Sequence, residues 1–338
     1  MDKNLGKMLG EMENIPDVYK YSKHWQKLTK LHVNQLKIQG LGNFKRTFNL
    51  KYFNWGIPAI LVHQTRHFFK LILNGNVDFL KSTLYGKCDL KKSDRLGNKI
   101  FNFLYSRYVA SLYEYVKKDD CLDIFSKLEE PLYGKPLLVR YKDMYLSQDL
   151  CNSVSEFYSI YNAINFDNIK SIAEIGAGYG RNAYIFLKTF PKIKYFIIDL
   201  PPSLFIAQDY FRKTMPSVKK FYFRNFKSFK DVEKEIRSAK LVFLMPHQIE
   251  LLPRRMFDLM INISSLHEMK IEQIDNYLYQ IDRLCKGYFY SKQWKRAIVR
   301  DNNFVSLEKY VVPRKWKTIF LRTSPIQRLF FEALYKVN

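Results

Sequence analysis

The chain has few of the features that mark exported, zinc-bound or membrane-spanning proteins. Its four cysteines are far apart and form no C-x-x-C pair, so we expect reduced, packed thiols and no structural zinc site. They are Cys88, Cys121, Cys151 and Cys285. No run of 18 apolar residues is present, which excludes a membrane-spanning helix. Charges in the N-terminal stretch MDKNLGKMLGEMEN disfavour a signal peptide, so we expect a cytoplasmic protein.

Negative charge is also scarce relative to positive charge. The net charge of +24 divides into +10 for residues 1–150 and +14 for the remainder, without a polybasic tail. Such a surplus fits an anionic partner, namely nucleic acid, an anionic membrane surface or an acidic substrate. A generally basic surface without a dedicated partner explains it equally well.

The apolar pattern predicts two domains. Residues 1–150 show helical spacing, as in Trp25–Ile38 and Ile100–Val116, and we expect a mostly helical domain for substrate binding or homo-oligomer contacts. Residues 151–338 alternate short apolar runs with amphipathic stretches, which is typical of a Rossmann-like α/β domain with a mainly parallel sheet. The boundary is expected between residues 135 and 165. Candidate strands are Ser171–Ile175, Tyr195–Asp199, Leu241–Met245, Leu259–Ile263, Gly287–Ser291, Lys317–Leu321 and Phe331–Tyr335, with a helix as the alternative for the last.

A glycine-rich turn follows the first of these strands. Glycines at 176, 178 and 180 allow a tight turn and close approach of a ligand, and the next helix begins near Arg181. The second strand ends in Asp199, which is placed to accept hydrogen bonds from ribose hydroxyls.

Two cofactors fit a glycine turn with a ribose acid: a dinucleotide and S-adenosylmethionine. The dinucleotide fingerprint is G-x-G-x-x-G, but here Arg181 stands where the third glycine would be. Glu174 also precedes the turn, and its charge suits an amino group and a sulfonium better than a pyrophosphate. The E-x-G-x-G-x-G pattern with a later acid resembles motifs I and II of class I methyltransferases, against the alternative of a glycine turn in an unrelated α/β domain.

Further segments resemble the sugar O-methyltransferase family of bacterial surface-polysaccharide gene clusters. The matching segments are Asn43-Phe-Lys-Arg46, Tyr52-Phe-Asn-Trp55, Ser147-Gln-Asp-Leu150 with Asn152, Glu174–Arg181, Asp199-Leu-Pro and Asn262–Met269. The resemblance implies a cytoplasmic enzyme, with contact to the inner membrane as an open possibility, that methylates a sugar hydroxyl of capsule or lipopolysaccharide. It implies a sugar nucleotide or glycan as acceptor.

The resemblance also implies a set of binding residues for S-adenosylmethionine. They are Glu174, Gly176, Ala177, Gly178, Gly180, Arg181, Asp199, Leu200, His247, Gln248, Gln148 and Asn152. Some of these have structural alternatives. Pro246-His-Gln could form only a turn, and Ser147 or Asp149 capping a helix N-terminus would explain Gln148 and Asn152. The stretch Asn43–Trp55 could stack on a sugar ring, bind a phosphate or serve in core packing.

The predicted acceptor side follows the strand that ends near Ile263. The turns required for amino methylation of bases and the Pro-Cys nucleophile of cytosine C5 methylation are both missing, whereas His267 and Glu268 offer a base for O-methylation. The family more often has Gln at the position of His267, which raises Glu268 as the alternative base. Structural roles remain open for both: His267 at a strand end, and Glu268 orienting Asn262 or a backbone amide.

Two other functions remain to be separated from sugar O-methylation. An RNA methyltransferase would use the basic surface and bind RNA with a steep salt dependence, although nucleic acid is the disfavoured partner. A catalytically inactive scaffold would retain the fold without needing the glycine turn or Asp199.

Overall fold

The computed structural model describes residues 2–47, 68–85, 95–299, 303–306 and 310–337. The chain divides into two compact units. The sheet unit comprises Met1–Lys37 and Ile160–Asn338, and the helical unit comprises Ile38–Ser159. The change of unit between Ser159 and Ile160 falls within the range of 135 to 165 expected from the sequence, whereas the placement of residues 1–37 in the sheet unit was not expected.

The N-terminal helices explain why residues 1–37 belong to the sheet unit. They are α1 (Lys3–Asn14) and α2 (Lys23–Gln39). Asp2 caps α1 by accepting from the N–H of Asn4 at 2.8 Å. The turn between the two helices is held by the Gln273 side-chain amide, which donates to the carbonyls of Val18 and Lys20 at 3.1 and 2.9 Å. A pattern of local periodicity does not reveal such a contact across more than 250 positions.

The helical unit combines helices with a small antiparallel sheet that the prediction of a mostly helical region did not include. Its helices are α3 (Phe44–Thr47), α4 (Arg95–Lys117), α5 (Ile124–Lys127) and α6 (Gln148–Tyr161), the last extending to the sheet unit. Its strands, which pair in chain order, are β1 (Thr83–Tyr85), β2 (Leu138–Tyr141) and β3 (Met144–Leu146). The predicted helices Trp25–Ile38 and Ile100–Val116 are confirmed as α2 and α4.

A buried ion pair lies inside the helical unit. Lys45 bonds to Glu130, whose other carboxylate oxygen accepts from the Ser147 hydroxyl at 2.6 Å. Phe44 is fully buried, so the first part of the stretch Asn43–Trp55 serves core packing. Residues 48–55 of that stretch lie outside the described residues.

The sheet unit is built on a mainly parallel sheet, which confirms the predicted Rossmann-like α/β class. The strands are β4 (Ser171–Ile175), β5 (Lys194–Ile198), β6 (Lys220–Phe221), β7 (Leu241–Leu244), β8 (Phe257–Ile263), β9 (Cys285–Trp294), β12 (Lys317–Thr323) and β13 (Phe330–Lys336). Their order is β12-β13-β9-β8-β4-β5-β7-β6 in the described part of the chain. A separate pair joins β10 (Arg296–Val299) to β11 (Asn303–Ser306). Every predicted strand is therefore present: Ser171–Ile175 has the predicted bounds, and the others have at least one end displaced by one or a few residues.

The central strands are apolar runs because helices cover the sheet. In the core of the sheet, β5 and β7 are almost wholly buried. The covering helices are α7 (Arg181–Thr189), α8 (Pro201–Thr214), α9 (Glu233–Ser238) and α10 (Ile271–Leu284). At the other edge of the sheet, β13 pairs antiparallel with both β9 and β12.

The order of strands creates a switch point beside β4. From β4 the chain adds β5 and β7 on one side, and then returns to add β8 and β9 on the other. Ile175 pairs with Ile198 on one side and with Asn262 on the other, so the loops after three strands meet at one edge. Ligands of doubly wound sheets bind at such a point.

Three of the four cysteines lie within the described residues. Cys151 and Cys285 are free and buried, and burial raises the pKa of the Cys285 thiol to about 12. Cys121 is free and exposed, and Cys88 lies outside the described residues. None of the described helices has the length and apolarity needed to cross a membrane.

Candidate functional site

The glycine turn between β4 and α7 is held by hydrogen bonds from its own N–H groups. Gly176 donates to the Ile198 carbonyl at 2.8 Å, and Gly180 donates to the Ala177 carbonyl at 3.0 Å. Gly178 donates to a carboxylate oxygen of Asp199 at 2.6 Å. The turn is therefore closed by hydrogen bonds from all three glycines before any ligand is considered.

The three glycines also differ in what surrounds them. All have positive φ, at 73°, 61° and 89°, a region where a side chain is strained. A Cβ at Gly176 would meet Ser265 and one at Gly180 would meet Phe211, at 2.3 and 2.5 Å. A Cβ at Gly178 would meet nothing within 4 Å, so the middle of the turn has open space beside it.

Asp199 lies at the end of β5, where its carboxylate closes the glycine turn. Its second oxygen accepts from the N–H of Leu200 at 2.6 Å, and the side chain is almost buried. Burial raises the pKa of Asp199 to about 7, although the N–H groups of Gly178 and Leu200 oppose the rise. The charge of nearby Glu174 raises this pKa further, so two acids share the negative potential here.

Glu174 is held by residues on both sides of the turn. Its oxygens accept from the Tyr195 hydroxyl at 2.7 Å and from the Asn182 amide at 3.1 Å, and only 2% of the residue is exposed. Glu174 therefore joins β4, β5 and α7 inside the fold. Its predicted direct contact with the cofactor stays a prediction, as does that of Arg181, the first residue of α7.

The segment after β7 forms the turn that was the structural alternative for His247 and Gln248. The Gln248 side chain is buried and bridges the N–H of Met245 and the carbonyl of Arg224, both at 2.9 Å. His247 is partly buried with its Nε2 3.6 Å from a Glu11 carboxylate oxygen, and burial lowers the pKa of His247. Adenine contact by either residue stays a prediction.

The segment after β8 is fixed to the glycine turn through Asn262. The Asn262 amide donates to the Ile175 carbonyl at 2.9 Å and to the Ser265 hydroxyl at 2.7 Å. The Gln293 amide in turn donates to the Asn262 side chain at 2.6 Å. This network holds the two candidate bases, His267 and Glu268, in a short turn beside β4.

The two candidate bases have different surroundings. His267 is buried, with its Nδ1 3.1 Å from the Gln293 side-chain oxygen, and its ring packs against Trp294 and Phe330. Glu268 accepts at 2.9 Å from the indole N–H of Trp25 in α2. Burial raises the pKa of Glu268 to about 7, the Trp25 hydrogen bond opposes the rise, and the charge of Asp199 adds to it.

The sequence did not reveal that α2 contributes to this site. Trp25 and Glu268 are 243 positions apart, and no local pattern joins them. Tyr21, just before α2, is close enough to Asp199 for that charge to raise the pKa of its hydroxyl, although burial has the larger effect. The sequence holds one hint of this role. Thr29 and His32 occupy positions of the helical repeat where a helix that only packs on a core would have apolar residues.

Gln148 and Asn152 belong to the helical unit rather than to the sheet unit. Ser147 caps their helix by accepting from the N–H of Leu150 at 2.9 Å, which matches the structural alternative for these two residues. Gln148 is fully buried and donates to the Tyr108 hydroxyl at 3.3 Å. A cofactor contact by Gln148 or Asn152 stays a prediction. In the described parts of the chain, no three His, Cys, Asp or Glu side chains form a group that could hold a metal ion.

Known proteins offer only distant similarity. No protein-family profile matches the chain. No curated protein sequence matches it either. Among solved structures, a magnesium protoporphyrin IX methyltransferase from Synechocystis PCC 6803 is 8% identical, with a TM-score of 0.39 over 56% of this chain and 83% of its own.

Two further solved structures show a similar level of resemblance. A SAM-dependent methyltransferase from Aquifex aeolicus is 14% identical, with a TM-score of 0.32 over 50% of this chain and 82% of its own. The mitomycin 7-O-methyltransferase is 11% identical, with a TM-score of 0.36 over 93% of this chain and 67% of its own. Scores this low do not identify a substrate, which only the residues of this chain can indicate.

Proposed function

We propose that the chain is an S-adenosylmethionine-dependent methyltransferase that acts on a sugar hydroxyl of a surface glycan or of its activated precursor. The observation that carries the proposal is the glycine turn closed by the Asp199 carboxylate at the switch point of the sheet. That arrangement supports S-adenosylmethionine over a dinucleotide as the cofactor.

A dinucleotide requires N–H groups directed at its pyrophosphate. Here the three glycine N–H groups already donate to acceptors in the turn and at the end of β5, and the buried acids Asp199 and Glu174 would repel a phosphate. The same two acids favour a cofactor that carries an amino group and a sulfonium. The space beside Gly178 is open, and Gly178 is bonded to Asp199, which would hold the ribose of such a cofactor.

The acceptor side supports transfer to a hydroxyl. S-adenosylmethionine supplies a methyl group whose bond to a positively charged sulfur breaks in the reaction. Glu268 would take the proton of the acceptor hydroxyl, which leaves the hydroxyl oxygen able to accept a methyl group. A carboxyl group with a pKa near 7 is suited to this role at neutral pH. A large fraction of it is ionised and able to accept a proton, and the ionised form is basic enough to retain the proton that it accepts.

The alternative base, His267, is supported less well by its surroundings. Its Nδ1 is at hydrogen-bonding distance from Gln293, and aromatic rings pack against its ring. We therefore propose that His267 supports the turn that carries Glu268. The sugar itself, as capsule or lipopolysaccharide precursor, is supported by the family resemblance of the sequence.

The experiment is a calorimetric titration of the purified full-length chain with S-adenosylhomocysteine, followed by methyl-transfer assays. Radiolabelled S-adenosylmethionine is offered with sugar nucleotides, with extracted surface glycan and with total RNA in parallel reactions. Micromolar binding and label in a saccharide product support the proposal. Label in RNA with a steep salt dependence of binding would instead support an RNA methyltransferase, and a chain that binds no cofactor is not a methyltransferase.

A further inference from the structure

The Gln293 side chain, in β9, is bonded to the turn that carries His267 and Glu268. It is completely buried. Its oxygen lies 3.1 Å from Nδ1 of His267 and accepts from the backbone N–H of His267 at 3.4 Å. Its nitrogen donates to the side-chain oxygen and to the carbonyl of Asn262, at 2.6 and 3.1 Å. Both lone pairs and both N–H groups of this amide are therefore in use, which holds it in one orientation.

Backbone groups fix the orientation of the neighbouring Asn262 amide. Its nitrogen donates to the Ile175 carbonyl at 2.9 Å, and its oxygen accepts from the N–H of Leu266 at 3.3 Å. A carbonyl can only accept and an N–H can only donate, so the Asn262 amide cannot be reversed without losing both bonds. The end of the Gln293 amide that faces the Asn262 oxygens must therefore be its nitrogen.

This order of donors and acceptors extends to the His267 ring. Because its nitrogen is bonded to Asn262, Gln293 presents its oxygen to His267, and that oxygen has no proton to donate. The hydrogen bond at Nδ1 therefore requires the ring proton on Nδ1. A neutral imidazole has a single ring N–H, so its Nε2 then holds a lone pair. A neutral histidine in water carries this proton mainly on Nε2, so the contact with Gln293 reverses the ordinary preference.

We infer that Gln293 is a positioning residue that fixes His267 in the tautomer protonated on Nδ1. This rests on the proposed function and adds the residue that holds the turn next to the proposed base, Glu268. Any group that donates to the His267 ring does so at Nε2, and a base role for His267 would be exercised at that atom. The hydrogen-bonded chain starts at Ile175, just before the glycine turn, and crosses three neighbouring strands, β4, β8 and β9.

The test reads the tautomer of His267 from nitrogen–proton correlation NMR of the full-length chain with isotope-labelled histidine rings. The couplings between the ring nitrogens and the ring C–H protons differ between the two tautomers. Spectra are recorded at a pH of about 9, where an ordinary histidine is neutral. The chain has six histidines, and the signals that disappear in His267→Gln identify those of His267.

Gln293→Leu removes the amide and keeps a side chain of similar size. Gln280→Leu is the matched control, because Gln280 is also buried in the sheet unit, where its oxygen accepts from Arg283 at 2.9 Å. We expect the Nδ1-protonated form in the wild type and in Gln280→Leu, and a shift towards the Nε2-protonated form in Gln293→Leu. A role in general packing alone would not move the ring proton.

The same variants are then assayed for methyl transfer. We expect kcat to fall roughly tenfold in Gln293→Leu, because the turn that carries Glu268 is held less firmly in its reactive geometry. Affinity for S-adenosylhomocysteine should stay unchanged, since the hydrogen bonds of Asp199 do not involve Gln293. Thermal unfolding of each variant confirms that it is folded.

Three results would overturn the inference while leaving the methyltransferase proposal intact. The first is a wild-type ring protonated on Nε2, which decides against it even if Gln293→Leu does not fold. The second is an Nδ1 proton that persists in folded Gln293→Leu, and the third is an unchanged kcat in that variant. A wild type that has the Nδ1-protonated ring but binds no cofactor would instead contradict the proposed function.

Discussion

On the glycine-turn side of the site, residues 174–200, the polar groups find their partners within the same stretch of chain. The glycine N–H groups, the Asp199 carboxylate and the Glu174 carboxylate are all bonded there. On the α2 side, Glu268 finds its hydrogen-bond donor, Trp25, 243 positions away. The first side is therefore completed by neighbouring residues, whereas the second depends on a residue from a distant part of the chain.

The comparison predicts that the two sides fail differently when they are mutated. Changes on the glycine-turn side should remove cofactor binding. Changes on the α2 side should spare the cofactor and alter the rate, its pH dependence or the affinity for the acceptor. Three variants test this separation.

The largest effect is expected for Asp199→Ala. The turn loses the acceptor for the N–H of Gly178, and the cofactor loses the carboxylate proposed to bind its ribose. We expect affinity for S-adenosylhomocysteine to fall at least about 100-fold, roughly 2.7 kcal/mol, in a calorimetric titration. Asp167→Ala removes an exposed acid of the same unit and should bind normally. A change of less than threefold in Asp199→Ala would show that this acid does not hold the cofactor.

A large effect on rate alone is expected for Glu268→Gln. We expect kcat to fall about 10² to 10³-fold with cofactor affinity nearly unchanged, because a general base is lost and the shape is kept. In the wild type the carboxylate must be ionised to act, so kcat should rise with pH through about 7 and then level. The variant should lose this rise.

Glu272→Gln is the control, since Glu272 is an exposed acid at the start of α10. His267→Asn separates the two candidate bases. If the rise in kcat persists in Glu268→Gln and disappears in His267→Asn, then His267 is the base and the assignment of Glu268 is wrong.

A smaller effect is expected for Trp25→Phe, which keeps an aromatic ring and removes the N–H. The hydrogen bond stabilises the ionised carboxylate, so its loss should raise the pKa of Glu268 and move the rise in kcat to higher pH by up to about one unit. The rate at pH 7 should then fall several-fold, and recover as the pH is raised.

Trp316→Phe is a closely matched control for this change. Trp316 is also buried and donates to a carboxylate, that of Asp282, at 2.8 Å. It should leave the pH profile unchanged. An equal shift in both variants, or none in Trp25→Phe, would contradict the role of Trp25 in setting the ionisation of Glu268.

The parts of the fold that could be predicted are those with local causes. Ser171–Ile175 was predicted with its observed bounds, because a strand buried on both faces is an apolar run with clear ends. The glycine turn and Asp199 were also predicted, and the structure joins them by a hydrogen bond. Because β4 and β5 are neighbouring parallel strands, the glycine turn that follows β4 and Asp199 at the end of β5 lie at the same edge of the sheet.

The parts that could not be predicted depend on contacts between distant residues. Helical periodicity predicted α2 but not which of its sides is buried, since Leu31 and His32 fit the pattern equally well. The structure buries His32 and exposes Leu31. Likewise, nothing near His267 in the sequence indicates that Gln293 binds its ring.

The sequence by itself therefore determined the Rossmann-like sheet, the glycine turn and the acid that closes it, because apolar runs and glycine positions act within a few residues of chain. Only the tertiary structure decided that residues 1–37 join the sheet unit and that Trp25 donates to Glu268. Packing brings these groups together across more than 200 residues, and the burial that results raises the pKa of Glu268 to about 7. Burial of that kind is a property of the assembled fold, and no short segment of the chain encodes it.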